Sequence, residues 1–129
     1  MKLLLDTHTF LWQLYDRSSV SKQALNALSN PKHSLFVSTA SLWEIGILIS
    51  LKRIKTLDTV ARMLEQSELD CGIELLPISV AHIEAVAGLP LHHRDPFDRL
   101  LIAQAQCDNL TVIGADRAFD LYGLERIWD

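Results

Sequence analysis

A chain of 129 residues, 49% of them hydrophobic, with a net charge of −4 has the length of one domain and enough apolar side chains for a core. It is too apolar and too weakly charged to stay unfolded. No apolar run approaches the roughly 20 residues a bilayer needs, and Cys71 and Cys107 stand outside any CxxC pattern. The expectation is a soluble, cytoplasmic domain with reduced thiols and no membrane partner, and 16 acids against 12 bases argue at first against binding nucleic acid.

Lys2 to Leu5 is a short apolar run ending at an acid, the pattern of a strand buried on both faces, and Thr7 to Tyr15 continues with helical spacing. Ser18 or Ser19 is the expected cap of a helix through Leu28, stopped by Asn30-Pro31. A second strand is expected over Leu35 to Ser38. Thr39 to Leu51 carries too many apolar residues for one face and reads as a largely buried helix. A helix from about Leu57 to Leu69 and a strand from Ile73 to Leu76, ended by Pro77, come next. Ser79 should cap the helix that stops near Gly88 and Pro90, and Asp95-Pro96 should open another that reaches about Cys107. Asn109 to Gly114 reads as a strand, Arg117 to Tyr122 as a short helix and Glu125 to Trp128 as a final strand. Strands alternating with helices at these spacings imply an α/β domain with a parallel sheet, in which ligands bind beyond the carboxyl ends of the strands.

Against that layout, several acids stand where an ordinary soluble domain would not place them. Asp6 directly follows Leu3-Leu4-Leu5, and Asp116 comes just past the strand Leu110 to Ile113, an equivalent position. Glu44 is the only charged residue between Thr39 and Leu51 and shares a helical face with Ile47, Leu48 and Leu51. Asp98 heads the stripe Leu101, Ile102 and Ala105, with Arg99 and Gln106 on the wet face. Asp95, three residues earlier, is a repulsive neighbour of Asp98 unless a cation lies near both. Capping alone would account for Asp6, Asp95 and Asp116, and an ion pair with Arg94, Arg99 or Lys52 would account for Glu44 and Asp98. Jointly, carboxylates without thiols select a hard divalent cation, Mg²⁺ or Mn²⁺, which usually completes its shell with water and phosphate oxygens. Such a site suits phosphoryl transfer or phosphodiester cleavage.

Four segments carry a resemblance to a known family. Leu3-Leu4-Leu5-Asp6-Thr7, Val37-Ser38-Thr39-Ala40-Ser41-Leu42-Trp43-Glu44-Ile45, Asp95-Pro96-Phe97-Asp98-Arg99-Leu100-Leu101-Ile102-Ala103-Gln104-Ala105 and Val112-Ile113-Gly114-Ala115-Asp116 resemble, in order and spacing, the four blocks of the PIN-domain ribonucleases. More narrowly, the chain is similar to the VapC-type toxins of type II toxin-antitoxin pairs. The resemblance implies a single PIN domain over residues 1–129: a three-layer α/β fold with a mostly parallel sheet of four to five strands flanked by helices. It further implies an endoribonuclease dependent on Mg²⁺ or Mn²⁺, an RNA substrate, a small antitoxin partner and homodimerisation. Carried over by position, Asp6, Glu44, Asp98 and Asp116 would be the catalytic, metal-binding acids. Asp95 belongs to an Asp-Pro-Phe-Asp run found in one branch and could cap, ligate or do both. Thr7 matches the hydroxyl residue after the first acid. Where the family commonly has Thr or Ser, Gly114 stands two residues before the last acid, so a hydroxyl is missing beside Asp116.

Beyond the acids, Lys52, Arg53 and Lys55 follow the Glu44 helix, and Arg94, Arg99 and Arg117 flank the other blocks. Of these, Lys52, Arg94, Arg99 and Arg117, with Thr7, are the candidates for contacting RNA; a solvated surface is the plain alternative. His92 and His93 lack a third ligand at zinc spacing, so zinc is not expected, though either could help bind substrate. His8, His33 and His82 read as packing or surface residues, and Trp12, Trp43 and Trp128 as core or interface. Two rivals to the ribonuclease reading remain. A haloacid dehalogenase-like phosphatase would want a second Asp where His8 stands, and a non-catalytic partner-binding module would use its acids only as caps.

Overall fold

The run Leu3-Leu4-Leu5 belongs to β1 (Lys2–Leu5), and all three side chains are fully buried because helices cover both faces of the sheet. Alternation along the strand sends Leu3 and Leu5 into one apolar cluster, with Phe10, Ala24 and Val37, and Leu4 into another, with Leu101, Ile102, Val112 and Phe119. The computed structural model, which describes all 129 residues, therefore has three layers.

From β1 the chain passes through α1 (Thr7–Tyr15), a 3₁₀ turn (Arg17–Ser19) and α2 (Lys22–Ser29) to β2 (Ser34–Ser38). It then runs through α3 (Thr39–Ser50), α4 (Val60–Cys71), β3 (Ile73–Leu76), α5 (Val80–Ala87) and α6 (Pro96–Asp108) to β4 (Thr111–Ile113). A 3₁₀ helix (Arg117–Tyr122) and β5 (Arg126–Ile127) end it. The sheet has five strands in the order β3-β2-β1-β4-β5, every pair parallel, at the upper end of the expected count and without an antiparallel member. The chain steps outward from β1 to β2 and β3 and then returns to β1's other side with β4. The direction of winding thus reverses between the carboxyl ends of β1 and β4, where open parallel sheets form their crevice. No helix is long and apolar enough to cross a membrane.

Three expectations are corrected. Ser18 and Ser19 cap no helix: both hydroxyls donate to the Asp16 carboxylate at 2.6 Å, which holds the 3₁₀ turn, and Ser21 caps α2 by accepting from the Ala24 N–H. The α4 helix begins at Val60 rather than Leu57, because the Thr59 hydroxyl accepts from the Arg62 N–H and sets the first turn; Leu57 is left wholly exposed. Nor is α3 largely buried. Only Ala40, Ser41 and Ile45 are, and Trp43 is 63% exposed with its ring edge on Phe97.

Candidate metal centre at the carboxyl edge of the sheet

Asp6 sits at the turn from β1 into α1, held there by its own N–H donating to Ile113 O of β4 at 3.0 Å. It is 5% exposed, and Oδ1 accepts the Thr9 N–H at 2.8 Å as the cap of α1. Its Oδ2 lies against Gly114, so close that a Cβ built there would stand 2.5 Å from that oxygen. The missing side chain at Gly114, read from the sequence as a lost hydroxyl, is what gives the buried carboxylate its seat.

Asp116 repeats the arrangement one strand over: Oδ1 accepts the Ala118 N–H at 2.9 Å, capping the 3₁₀ helix, and Oδ2 faces His93. Asp95 caps α6, its Oδ1 accepting from Phe97 and Asp98 N–H at 2.8 and 3.2 Å. The capping account is therefore correct for all three acids and does not exclude a second role. A carboxylate has two oxygens, and the cap takes only one of them: Asp116 Oδ2 faces His93 Nε2, and Asp6 Oδ2 lies against Gly114.

Asp98, in the first turn of α6, is where the charges meet. Burial, with Asp95, Asp6 and Glu44 adding repulsion and His93 opposing it, pushes its carboxyl up from 3.8 to about 7. Burial likewise raises Asp6, with Asp116 contributing in the same direction. Glu44, half-buried on α3, reaches this group electrostatically. It is not paired with Lys52, Arg94 or Arg99, and its expected apolar neighbour Leu51 is 58% exposed. Acids from four separate elements thus share one neighbourhood at the point where the winding reverses.

The residue that sequence reasoning placed least well is His93. Its Nε2 lies 3.0 Å from Asp98 Oδ2 and 3.1 Å from Asp116 Oδ2, to which it donates, and the three side chains form a group able to surround an ion. Zinc spacing was the wrong signal. A histidine in the short loop just before an acid-bearing, capped helix was the better one. His92 instead turns outward with its ring edge on Tyr122.

The proposed RNA contacts divide. Thr7 is 3% exposed and spends its hydroxyl proton on Ser41 at 2.9 Å, tying the β1–α1 corner to α3. Arg99 does not lie on a wet face: its guanidinium donates to the carbonyls of Val86, Leu89, Pro90 and His93, bracing the α5–α6 loop that carries the histidine. Arg94 and Arg117 are exposed beside Asp95 and Asp116, and Lys52 is exposed two turns beyond Glu44.

The donor set fits a hard divalent cation. Carboxylate oxygens predominate around the centre, with the His93 imidazole the one nitrogen among them and no thiol, and burial with mutual repulsion raises two of the acids, a repulsion a cation would relieve.

Comparison with known proteins bears on the fold and the family. In the Rickettsia felis VapBC2 complex bound to a promoter DNA fragment, a chain of 17% identity superposes with a TM-score of 0.72, covering 100% of both chains. A DNA-bound VapBC from Salmonella typhimurium gives 0.64 at 20% identity over 98% of this chain and 97% of that one. FitAcB from Neisseria gonorrhoeae gives 0.62 at 17% identity over 97% and 96%. These likenesses establish a shared fold. A search of curated protein sequences gave no match. The PIN domain family model matches residues 3–124. With nearly every element and all five acids inside that span, the chain belongs to the PIN domain family.

Proposed function

We propose that the protein is an endoribonuclease dependent on Mg²⁺ or Mn²⁺, built as one PIN domain over residues 1–129. The observation that carries this reading is the meeting of Asp98 and Asp116 at His93 Nε2, with Asp6 buried against Gly114 at the end of β1 and with Asp6 and Glu44 adding to the repulsion at Asp98. In the proposal Asp6, Glu44, Asp98 and Asp116 are the acids that hold the cation. Asp95 serves α6 as its cap and the site as added negative charge. A bound divalent ion supplies charge neutralisation at the scissile phosphate and acidification of the attacking water.

The remaining steps belong to the chain itself. Asp6 and Asp116 are pinned by the caps they form, so the oxygen each cap leaves unused needs little reordering when charge arrives. Arg94 and Arg117, exposed beside the acids, and Lys52 farther along are placed to hold phosphates of the RNA strand, which fixes register without reading sequence. Thr7 and Arg99 act instead through the elements they tie down.

The structural neighbours are toxin-antitoxin complexes, which supports the finer reading of a VapC-like toxin neutralised by a small antitoxin; a cytoplasmic location and homodimerisation are part of the proposal on the family resemblance alone. Incubation of RNA with the purified protein and Mg²⁺ or Mn²⁺ tests the activity. Cleavage should be abolished by chelation and fall at least ~100-fold in Asp6→Asn and Asp98→Asn, the range that loss of a transition-state charge stabiliser costs. Cleavage that needs no metal, or survives both substitutions, would refute the assignment. The toxin reading is checked separately by expression in cells: growth arrest, relieved by co-expressing the adjacent small gene, is the expected result.

A further inference from the structure

His93 is more completely fixed than a surface loop histidine has reason to be. Its N–H donates to the Tyr122 hydroxyl at 2.8 Å, its carbonyl accepts from Arg99 at 3.2 Å, and its Nδ1 accepts the Asp95 N–H at 3.2 Å. The Tyr122 hydroxyl is itself anchored on Pro90 O at 2.7 Å, and the imidazole edge rests against the fully buried Phe119. Four contacts thus hold His93, two through its backbone and two through its ring, and its Nε2 lies between Asp98 Oδ2 and Asp116 Oδ2.

The hydrogen bond at Nδ1 decides what that ring can do. A neutral imidazole has one donor and one acceptor nitrogen. Because Nδ1 accepts from the Asp95 N–H, the ring proton stands on Nε2, which is then a donor facing two carboxylates. To coordinate an ion, Nε2 would have to surrender that proton to Nδ1, setting two N–H groups against each other at 3.2 Å.

We infer that His93 is a positioning residue of the centre, a hydrogen-bond donor that holds Asp98 and Asp116 in place for the cation and does not itself ligate it. The inference rests on the cation-binding reading above and adds a residue that the four acid-bearing segments do not include. It also explains why the loop ahead of α6 is braced by Arg99: the brace acts on the carbonyl of His93 and on the end of α5. Carboxylate ligands are commonly held by such outer hydrogen bonds, whose loss costs roughly 10- to 100-fold in metal affinity.

The test measures Mn²⁺ binding to the full chain, with no RNA present, by titration and by electron spin-echo spectroscopy. Wild type is expected to bind Mn²⁺ without the ¹⁴N coupling of a directly bound imidazole. His93→Ala should lower the affinity by about 10- to 100-fold, and His93→Gln, whose amide N–H can reach the same carboxylates, should restore most of it. Directly coordinated nitrogen in wild type that disappears in His93→Gln would overturn the inference, as would unchanged affinity in a folded His93→Ala. The wild-type spectrum decides the question even if the alanine variant fails to fold. If wild type binds no Mn²⁺ at all, the cation-binding reading falls together with this one, whereas binding that is indifferent to His93 removes this one alone.

Discussion

Asp6, Asp95 and Asp116 show how one side chain can satisfy two demands. Each caps a helix through Oδ1, and in Asp6 and Asp116 Oδ2 is left for the cluster. At Gly114 the same economy is steric, since any side chain there would collide with Asp6 Oδ2 at 2.5 Å. Gly114→Ala should therefore destabilise the protein by about 1–3 kcal/mol through overpacking and weaken Mn²⁺ binding, both measurable by thermal melts with and without the ion. Asp98 gives a signed pH dependence. Its carboxyl titrates at about 7 in the fold against 3.8 ordinarily, so between those values the folded state binds more protons than the unfolded one. The stability of the metal-free protein should accordingly fall as pH rises from about 4 to about 7. Melting curves should show this fall reduced in Asp98→Asn and reduced by Mg²⁺, and a wild-type slope unaffected by either would contradict the placement of Asp98.

At the scale of elements, the strands and most caps were legible because their signals are local: an apolar run closed by an acid, Asp before Pro, and Gly88 after a helix. Ser21 displaced Ser18 and Ser19 as the α2 cap because Asp16 captured both of those hydroxyls, a competition that the run of serines does not reveal. The burial of α3 was overread because counting apolar residues does not say which of them a neighbouring element covers. Position alone suggests the four acids as candidates, whereas the contacts of His93 and Gly114 depend on how the α5–α6 loop and β4 lie against the cluster. Arg99 is the clearest case of a charge whose use only the fold reveals. Replacing it with Ala should cost about 1–3 kcal/mol, and Lys should rescue poorly, because one ammonium cannot reproduce a planar fork spread over four carbonyls. Chemical denaturation of the two variants checks this, and equal stability of Arg99→Lys and wild type would count against the brace.

For the molecule as a whole, the net charge of −4 takes on a different meaning. Without Asp6, Glu44, Asp98 and Asp116 the remaining 12 acids would match the 12 bases, so the excess is the size of the cluster. Acidity that seemed to argue against nucleic acid is concentrated where a cation would neutralise it before a phosphate arrives, with Arg94 and Arg117 alongside. The position of that cation is the most direct test. Anomalous diffraction from crystals soaked in Mn²⁺ should place a peak at coordination distance, about 2.0–2.3 Å, from carboxylate oxygens of Asp6, Asp98 or Asp116, in the crevice between β1 and β4. A fully loaded crystal with its only Mn²⁺ elsewhere, or with none bound to these acids, would contradict the account.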